Sequence, residues 1–291
     1  MRYGICNKPI APLYEQAKFC FGPSDLSSGI ADEVLYGWLV KINDEATVNV
    51  SNSAFVTTEY GYSGYIDLND FIIYPSFQER SDVYYVDRSC MDILSEPRVA
   101  ARVLMTLFRG SYVRIKMPLA SPEGWVTLLL NNGGEGFVQA CMLKKRILPL
   151  PVSPCAISQT LSANNQLREA IASSAQRYLG AQYRWGGKTP LGIDCSGLTF
   201  MSYFENGIYI YRDAKLKDDY PVKKIPIQMI GVGDLLYFPG HIALYLGNNQ
   251  YIHSTTRAGS FGVAINSLDA RMPNFRADLY EKLTDIGSVF A

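Results

Sequence analysis

Hydrophobic and polar residues alternate in short runs through the first half of the chain. Val34-Leu35-Tyr36-Gly37-Trp38-Leu39-Val40 and Thr47-Val48-Asn49-Val50 lead to Gly61-Tyr62-Ser63-Gly64-Tyr65-Ile66. Residues 82 to 143 repeat the style with Arg102-Val103-Leu104-Met105, Tyr112-Val113-Arg114-Ile115, Trp125-Val126-Thr127-Leu128 and Gly136-Phe137-Val138. Runs this short, punctuated by Gly and Asn, predict strands joined by tight turns. Gly64-Tyr65-Ile66 and Gly136-Phe137-Val138 lie 72 positions apart, and Val34-Leu35 and Val103-Leu104 lie 69 apart. A loose repeat of about 70 residues predicts two small all-β barrels, over residues 1–75 and 76–148. One larger sandwich of the same strands is the alternative.

The period changes after Pro149, Pro151 and Pro154, which can continue neither a strand nor a helix and mark a linker over 149–163. From residue 164 to 291, Leu167, Ile171, Ala175, Tyr178 and Leu179 recur at helical spacing, with Asn164 or Asn165 as a cap and Gly180 as a stop. A second helix-like stretch runs from Cys195 to Asn206-Gly207. Four strands follow, beginning at Asp234, His241, Gln250 and Gly262, with Gly247-Asn248-Asn249 turning between the middle two. Helices before an antiparallel sheet make this an α+β domain.

Composition narrows the function classes. The 291 residues carry 27 basic and 27 acidic side chains, so no electrostatic footprint for nucleic acid or an anionic membrane is expected. No apolar run is long enough for a membrane-spanning helix. The chain starts Met1-Arg2-Tyr3-Gly4-Ile5-Cys6 without a signal-peptide pattern, so a cytoplasmic location is expected, or a secreted, wall-associated one if a leader has been removed. Six cysteines, at 6, 20, 90, 141, 155 and 195, never fall at zinc-knuckle spacing and are too sparse for a disulfide scaffold. Neither a metal nor another cofactor is expected.

Two histidines, His241 and His253, are all the chain has, and a predicted hairpin brings them together. On neighbouring strands about 5 Å apart they share a site if both face one way; half-buried strand histidines are the alternative. Cys195 follows Gly192-Ile193-Asp194 and opens a helix, where the macrodipole is expected to lower its pKa and raise the thiolate fraction. A cysteine nucleophile, a histidine base and a polar group orienting that base form a nucleophilic constellation. Asp194 is equally suited to capping that helix and to meeting substrate.

These residues carry a resemblance. Tyr183-Arg184-Trp185-Gly186-Gly187, Asp194-Cys195-Ser196-Gly197-Leu198, Gly233-Asp234-Leu235-Leu236-Tyr237-Phe238, His241 to Gly247 and Tyr251-Ile252-His253 together resemble the NlpC/p60 cell-wall cysteine peptidases over about residues 165 to 270. The upstream barrels resemble bacterial SH3-like modules, on Glu33-Val34-Leu35-Tyr36-Gly37, Gly61 to Tyr65 and Gly136-Phe137-Val138. The resemblance implies a papain-like domain behind two SH3-like barrels, as in the γ-D-glutamyl-L-diamino-acid endopeptidases. It implies that Cys195 attacks the γ-D-Glu carbonyl of a peptidoglycan stem peptide, His241 handles the proton and His253 orients it. Tyr183 would support the oxyanion, while Asp194 and Ser196 would line the acyl side with Glu33 and Tyr62 or Tyr65 from the first barrel. A free N-terminal L-Ala and a monomeric enzyme are expected. Two departures touch substrate contacts: Ala214 stands where relatives often have Ser, and Lys215-Leu216-Lys217-Asp218 lacks an expected Gln. Other Cys-His acyl chemistry, and a wall-binding protein with a vestigial peptidase domain, are the competing readings.

Overall fold

The computed structural model describes residues 2–17, 29–43, 52–77, 83–116, 123–147 and 161–291, without the side chains of 161–163. Thr47-Val48-Asn49-Val50, Cys20, Cys155 and Pro149, Pro151 and Pro154 lie outside the described residues. The chain divides into two compact units, Met1–Arg146 and Ile147–Ala291.

The first unit holds the two barrels. Strands β1 (Arg2–Cys6), β2 (Ile10–Tyr14), β3 (Ile30–Leu35), β4 (Leu39–Ile42), β5 (Ser53–Thr58), β6 (Ser63–Asp67) and β7 (Phe71–Tyr74) pair in the order β3-β2-β6-β5-β4-β1-β7. Strands β8 (Val83–Val86), β9 (Cys90–Leu94), β10 (Val103–Phe108), β11 (Tyr112–Ile115), β12 (Trp125–Leu129), β13 (Glu135–Gln139) and β14 (Leu143–Lys145) repeat that order, as β10-β9-β13-β12-β11-β8-β14. Every pairing is antiparallel. Gly64 and Gly136 are both the second residue of the sixth strand, so their repeat is a structural one.

The other half of the expected repeat is out of phase. Gly37 and Gly110 each turn the chain after the third strand, with φ of 78° and 89°, and lie 73 positions apart. Val34 is thus equivalent to Leu107, and both are fully buried, whereas Val103 and Leu104 are 48% and 37% exposed. The register slips between Val103 and Met105, so the hydrophobic run starts before the strand turns inward.

The barrels share a core. Tyr36, from the turn of the first barrel, is buried among Val86, Ile93, Leu107, Val126 and Val138 of the second. Its carbonyl accepts from Tyr112 N at 2.7 Å and its hydroxyl from Asn131 N at 2.8 Å. Trp38 Nε1 donates to Gly110 O at 2.8 Å. A Cβ on Gly37 would lie 2.2 Å from Tyr112 O, so only glycine permits this approach.

The second unit starts with α1 (Leu161–Gln176), three residues earlier than the helical period suggests. Asn164 and Asn165 are the fourth and fifth residues of the helix, so they lie within it and not at its N-cap. Ile171, Ala172 and Ala175 face the core, while Leu179, beyond the helix end, is 49% exposed. A small hairpin, β15 (Lys188–Thr189) and β16 (Gly192–Ile193), leads into α2 (Cys195–Phe204). Strands β17 (Lys223–Ile225), β18 (Leu235–Phe238), β19 (His241–Gly247), β20 (Gln250–Thr255) and β21 (Gly262–Ser267), helix α3 (Ala277–Tyr280) and strand β22 (Asp285–Ser288) complete the unit. Its six-stranded sheet runs β17-β22-β18-β19-β20-β21, and α2, buried along its whole length, packs across β19 and β20. The fold is α+β and papain-like, behind two all-β SH3-like barrels.

Candidate active site

The site forms where the start of α2 meets β19 and β20. Leu244 stands opposite Ile252, so alternation puts His241 and His253 together on the other face of the sheet. His241 Nε2 lies 2.8 Å from His253 Nδ1. His253 Nε2 lies 2.9 Å from Asn266 Oδ1, and Asn266 Nδ2 donates to Asn274 O at 2.6 Å.

That chain of contacts sets every proton. A carbonyl only accepts, so the Asn266 amide turns its N–H to Asn274 and its oxygen to His253. His253 must then carry its proton on Nε2 and offer a lone pair at Nδ1. His241 therefore carries its proton on Nε2, and its Nδ1 lone pair is free to act as a base. Asn266 was missed by the sequence reading, although it is the next residue after the strand Gly262-Val263-Ala264-Ile265. His253 pairs with Ala264, so alternation places Asn266, two further on, on the histidine face.

Cys195 is held beside this relay. The Ile242 and Ser196 N–H groups are directed at its sulfur, which sets the thiol against the start of β19. The helix start is built by Asp194. Its Oδ1 accepts from Gly197 N at 2.5 Å, Ser196 Oγ at 3.2 Å and Arg212 Nη1 at 3.0 Å. Its Oδ2 accepts from Gly186 N at 2.9 Å and Arg212 Nη2 at 3.0 Å. Five bonds meet the capacity of a carboxylate, so Asp194 is the N-cap and its charge is answered by the buried Arg212. Arg212 also donates to Ser196 Oγ at 2.7 Å. The Gly-Gly and Ser-Gly pairs follow from close packing: a Cβ on Gly197 would lie 2.2 Å from Gly187 O. Ser254 Oγ donates to Ile193 O at 2.7 Å, fastening β20 to the segment before the cysteine.

The expected low pKa of Cys195 does not survive this environment. Only 6% exposed, the thiol is pushed up to about 11, first by burial and then by the Asp194 charge. The N–H groups of Ile242 and Ser196, and the Arg212 charge, oppose that rise without cancelling it. Burial holds both histidines well below the ordinary imidazole range; His253 and Arg276 lower His241 further, whereas the hydrogen bond to Asn266 partly offsets the fall at His253. The resting pair is a neutral thiol beside a neutral imidazole. The helix N-terminus acts here through its N–H donors, against a larger desolvation cost.

Tyr183 is bridged to Ile193 and packs edge-on against Phe261 at 6.1 Å. Burial and the nearby Cys195 and Asp194 raise its pKa, so its hydroxyl remains protonated and able to donate. The other candidates belong to the first unit. Glu33 is buried in β3, at 6% exposure. Tyr62 lies half-buried in the turn between β5 and β6, its N–H bonded to Thr58 Oγ1 at 3.0 Å. Tyr65, in β6, packs on Phe55 with ring centroids 5.0 Å apart. Among the described residues no cluster of His, Cys, Asp and Glu could hold a metal ion, and Cys6, Cys90, Cys141 and Cys195 are free thiols.

Comparison with known proteins agrees with this architecture. Residues 180–277 match the NlpC/P60 family model. The Dipeptidyl-peptidase 6 of Lysinibacillus sphaericus is 34% identical over 274 residues, 93% of this chain and 96% of its own. A probable endopeptidase NlpC homolog of Haemophilus influenzae is 37% identical over 108 residues, 35% of this chain and 56% of its own. A crystal structure of an NlpC/P60 family protein from Bacillus cereus shares the fold with a TM-score of 0.73 at 17% identity, over 99% of this chain and 100% of that one. With a Cys-His-His-Asn relay in the matched segment and a relative similar along nearly its whole length, the chain belongs to the NlpC/P60 family of peptidases.

Proposed function

We propose that the protein hydrolyses the bond between γ-D-Glu and the diamino acid in peptidoglycan stem peptides, with Cys195 as nucleophile. The observation that carries the chemistry is the directed relay from Asn274 through Asn266 and His253 to His241, which leaves the Nδ1 lone pair of His241 to act as the base. The substrate class rests on the similarity to Dipeptidyl-peptidase 6 over nearly the whole chain.

His241 Nδ1 takes the thiol proton as Sγ bonds to the γ-carbonyl carbon, because neither group is ionised beforehand. The Cys195 N–H and the Tyr183 hydroxyl meet the developing oxyanion. The intermediate collapses by breaking the C–N bond, and the imidazolium gives its proton to the leaving amine. Water then attacks the thioester with His241 again as base, releasing the acid and restoring the thiol.

The resemblance adds a preference for a free L-Ala amine, with Glu33 and Tyr62 or Tyr65 as its candidate partners through charge-assisted hydrogen bonds. Asp194, already accepting five bonds, is the weakest of these acceptors. Recognition of a free amine directs the enzyme to peptides already cut from the glycan. The test is incubation with L-Ala-γ-D-Glu-meso-diaminopimelate and its N-acetyl form, with products identified by mass. L-Ala-γ-D-Glu and free diaminopimelate are expected. Acetylation should lower kcat/KM at least about tenfold, equivalent to roughly 1.4 kcal/mol of transition-state binding, and Glu33→Ala should narrow that gap. Equal hydrolysis of both peptides removes the amine-recognition step.

A further inference from the structure

Of the two donors assigned to the oxyanion, the Cys195 N–H belongs to the backbone of α2, whereas the Tyr183 hydroxyl stands at the end of a rotatable side chain. The backbone of that tyrosine is fixed from both sides. On one side Tyr183 is bridged to Ile193, and Ile193 N donates to Gln182 O at 3.0 Å. Gln182 Nε2 also donates to Leu191 O at 2.7 Å. On the other side Val263 N donates to Ala181 O at 2.8 Å, and Gly180 N to Val263 O at 3.3 Å. These bonds do not aim the ring, and among the described residues no hydrogen bond holds the Tyr183 hydroxyl.

The ring has a neighbour in Phe261, the residue before β21. Their centroids are 6.1 Å apart and their planes 63° from parallel, an edge-on contact within the favourable range for aromatic pairs. The backbone imposes this contact. Gly262, at φ 138°, lies so close to the 180–183 segment that a Cβ there would be 2.3 Å from Ala181 O. Only glycine lets β21 start against that segment, and the residue before it then lies beside Tyr183. Phe261 is 60% exposed, so the core does not depend on its ring.

Building on the proposed oxyanion role of Tyr183, we infer that Phe261 is a positioning residue, whose ring holds the Tyr183 ring in the orientation that aims its hydroxyl at the oxyanion. Without Phe261 the tyrosine regains torsional freedom. An effective donor lies about 2.7–3.1 Å from the oxyanion, and a misplacement of about 1 Å costs a large part of its effect. The oxyanion exists only along the reaction path, so the loss belongs in kcat and not in KM.

The experiment is a double-mutant cycle on the full-length protein, with Tyr183→Phe, Phe261→Ala and the two combined. The probes are L-Ala-γ-D-Glu-meso-diaminopimelate and 4-nitrophenyl acetate, an activated ester that needs the nucleophile and the oxyanion donors but no peptide recognition. Rates are taken above those of Cys195→Ala, which removes the contribution of the other thiols. Phe261→Ala should lower kcat about three- to tenfold, the range expected for loss of one aromatic pair, with KM within about twofold. Phe261→Tyr keeps the ring and should stay within about twofold of the unmodified enzyme. In the Tyr183→Phe background the Phe261→Ala change should cost less than about 1.5-fold, because no hydroxyl remains to be aimed. The melting temperature of Phe261→Ala should stay within about 2 °C, as for an exposed substitution. The same loss in both backgrounds, a loss confined to KM, or no loss at all overturns the positioning role while the role of Tyr183 stands. If Tyr183→Phe alone keeps full kcat, the oxyanion role fails and the inference with it, while Cys195 stands as nucleophile. If the peptide is not cleaved, the substrate reading fails and the ester rates decide alone: coupled losses uphold the role of Phe261, and additive losses reject it. A lack of Cys195-dependent turnover with both probes rejects it as well.

Discussion

At the residue scale, the chemistry depends on keeping two neutral groups in register. Cys195→Ala should abolish turnover while leaving the circular dichroism spectrum and melting temperature unchanged, since removal of one sulfur leaves the cap by Asp194 intact. Turnover retained by that variant would reject the nucleophile. Loss of the base in His241→Gln should cost at least the roughly 10²–10⁴-fold that positioned proton transfer supplies. His253→Gln should cost less, because an amide oxygen can still accept from His241; equal losses would mean that the two roles are misassigned. Asn266→Ala removes one orienting hydrogen bond, worth about 1 kcal/mol, and should lower kcat roughly fivefold with little change in KM. The buried histidines also predict a pH dependence. Their folded pKa values lie below the unfolded value of about 6.5, so below that pH the unfolded chain binds more protons and stability falls. Between pH 7.5 and pH 5 the loss should approach roughly 2 kcal/mol for each histidine, read from urea midpoints. The acid limb of kcat/KM should lie below the ordinary imidazole pKa, because His241 remains a base there.

Among the secondary-structure elements, the decisive contact is the one between the 184–193 hairpin and the first turn of α2. Glycine inside a helix ordinarily costs about 0.5–1 kcal/mol relative to alanine, so Gly197→Ala would be expected to stabilise α2. Here the added Cβ meets Gly187 O at 2.2 Å, a backbone atom that cannot move aside cheaply. The variant should therefore melt at a lower temperature and lose activity together, because the same turn carries Cys195. A stabilised, fully active Gly197→Ala protein would show that this packing is dispensable.

At the scale of the whole molecule, the first unit should behave as one cooperative body although it contains two barrels. Tyr36 belongs by sequence to the first barrel and by packing to the core of the second. Residues 1–146 should unfold in a single thermal transition, whereas residues 83–146 alone should fail to fold, lacking that side chain. Tyr36→Ala should cost about 3 kcal/mol or more, in line with deletion of a buried aromatic, and should lower one shared transition. Two separate transitions would mean that the barrels are thermodynamically independent.

What the amino-acid order determined by itself was local and periodic. Alternation is a property of neighbours a few positions apart, so the strands and the hairpin turn at Gly247-Asn248-Asn249 were legible from the chain, while the register across that hairpin decided that both histidines share one face. So was the helix opened by Asp194 and Cys195, because capping is set within four residues. Tertiary structure decided what depends on distant segments and on exclusion of water. The phase of the repeat at Leu107 against Val103 was fixed by a register slip that no composition window reveals. Asn266 joined the relay because β21 closes the sheet beside β20, and Arg212 answers Asp194 from 18 residues away. The thiol of Cys195 is the sharpest case. Its helix position argues for a low pKa, but that argument counts only the nearest dipoles. Burial under the packed sheet and the charge of Asp194 outweigh them, because desolvation is summed over everything that surrounds the sulfur.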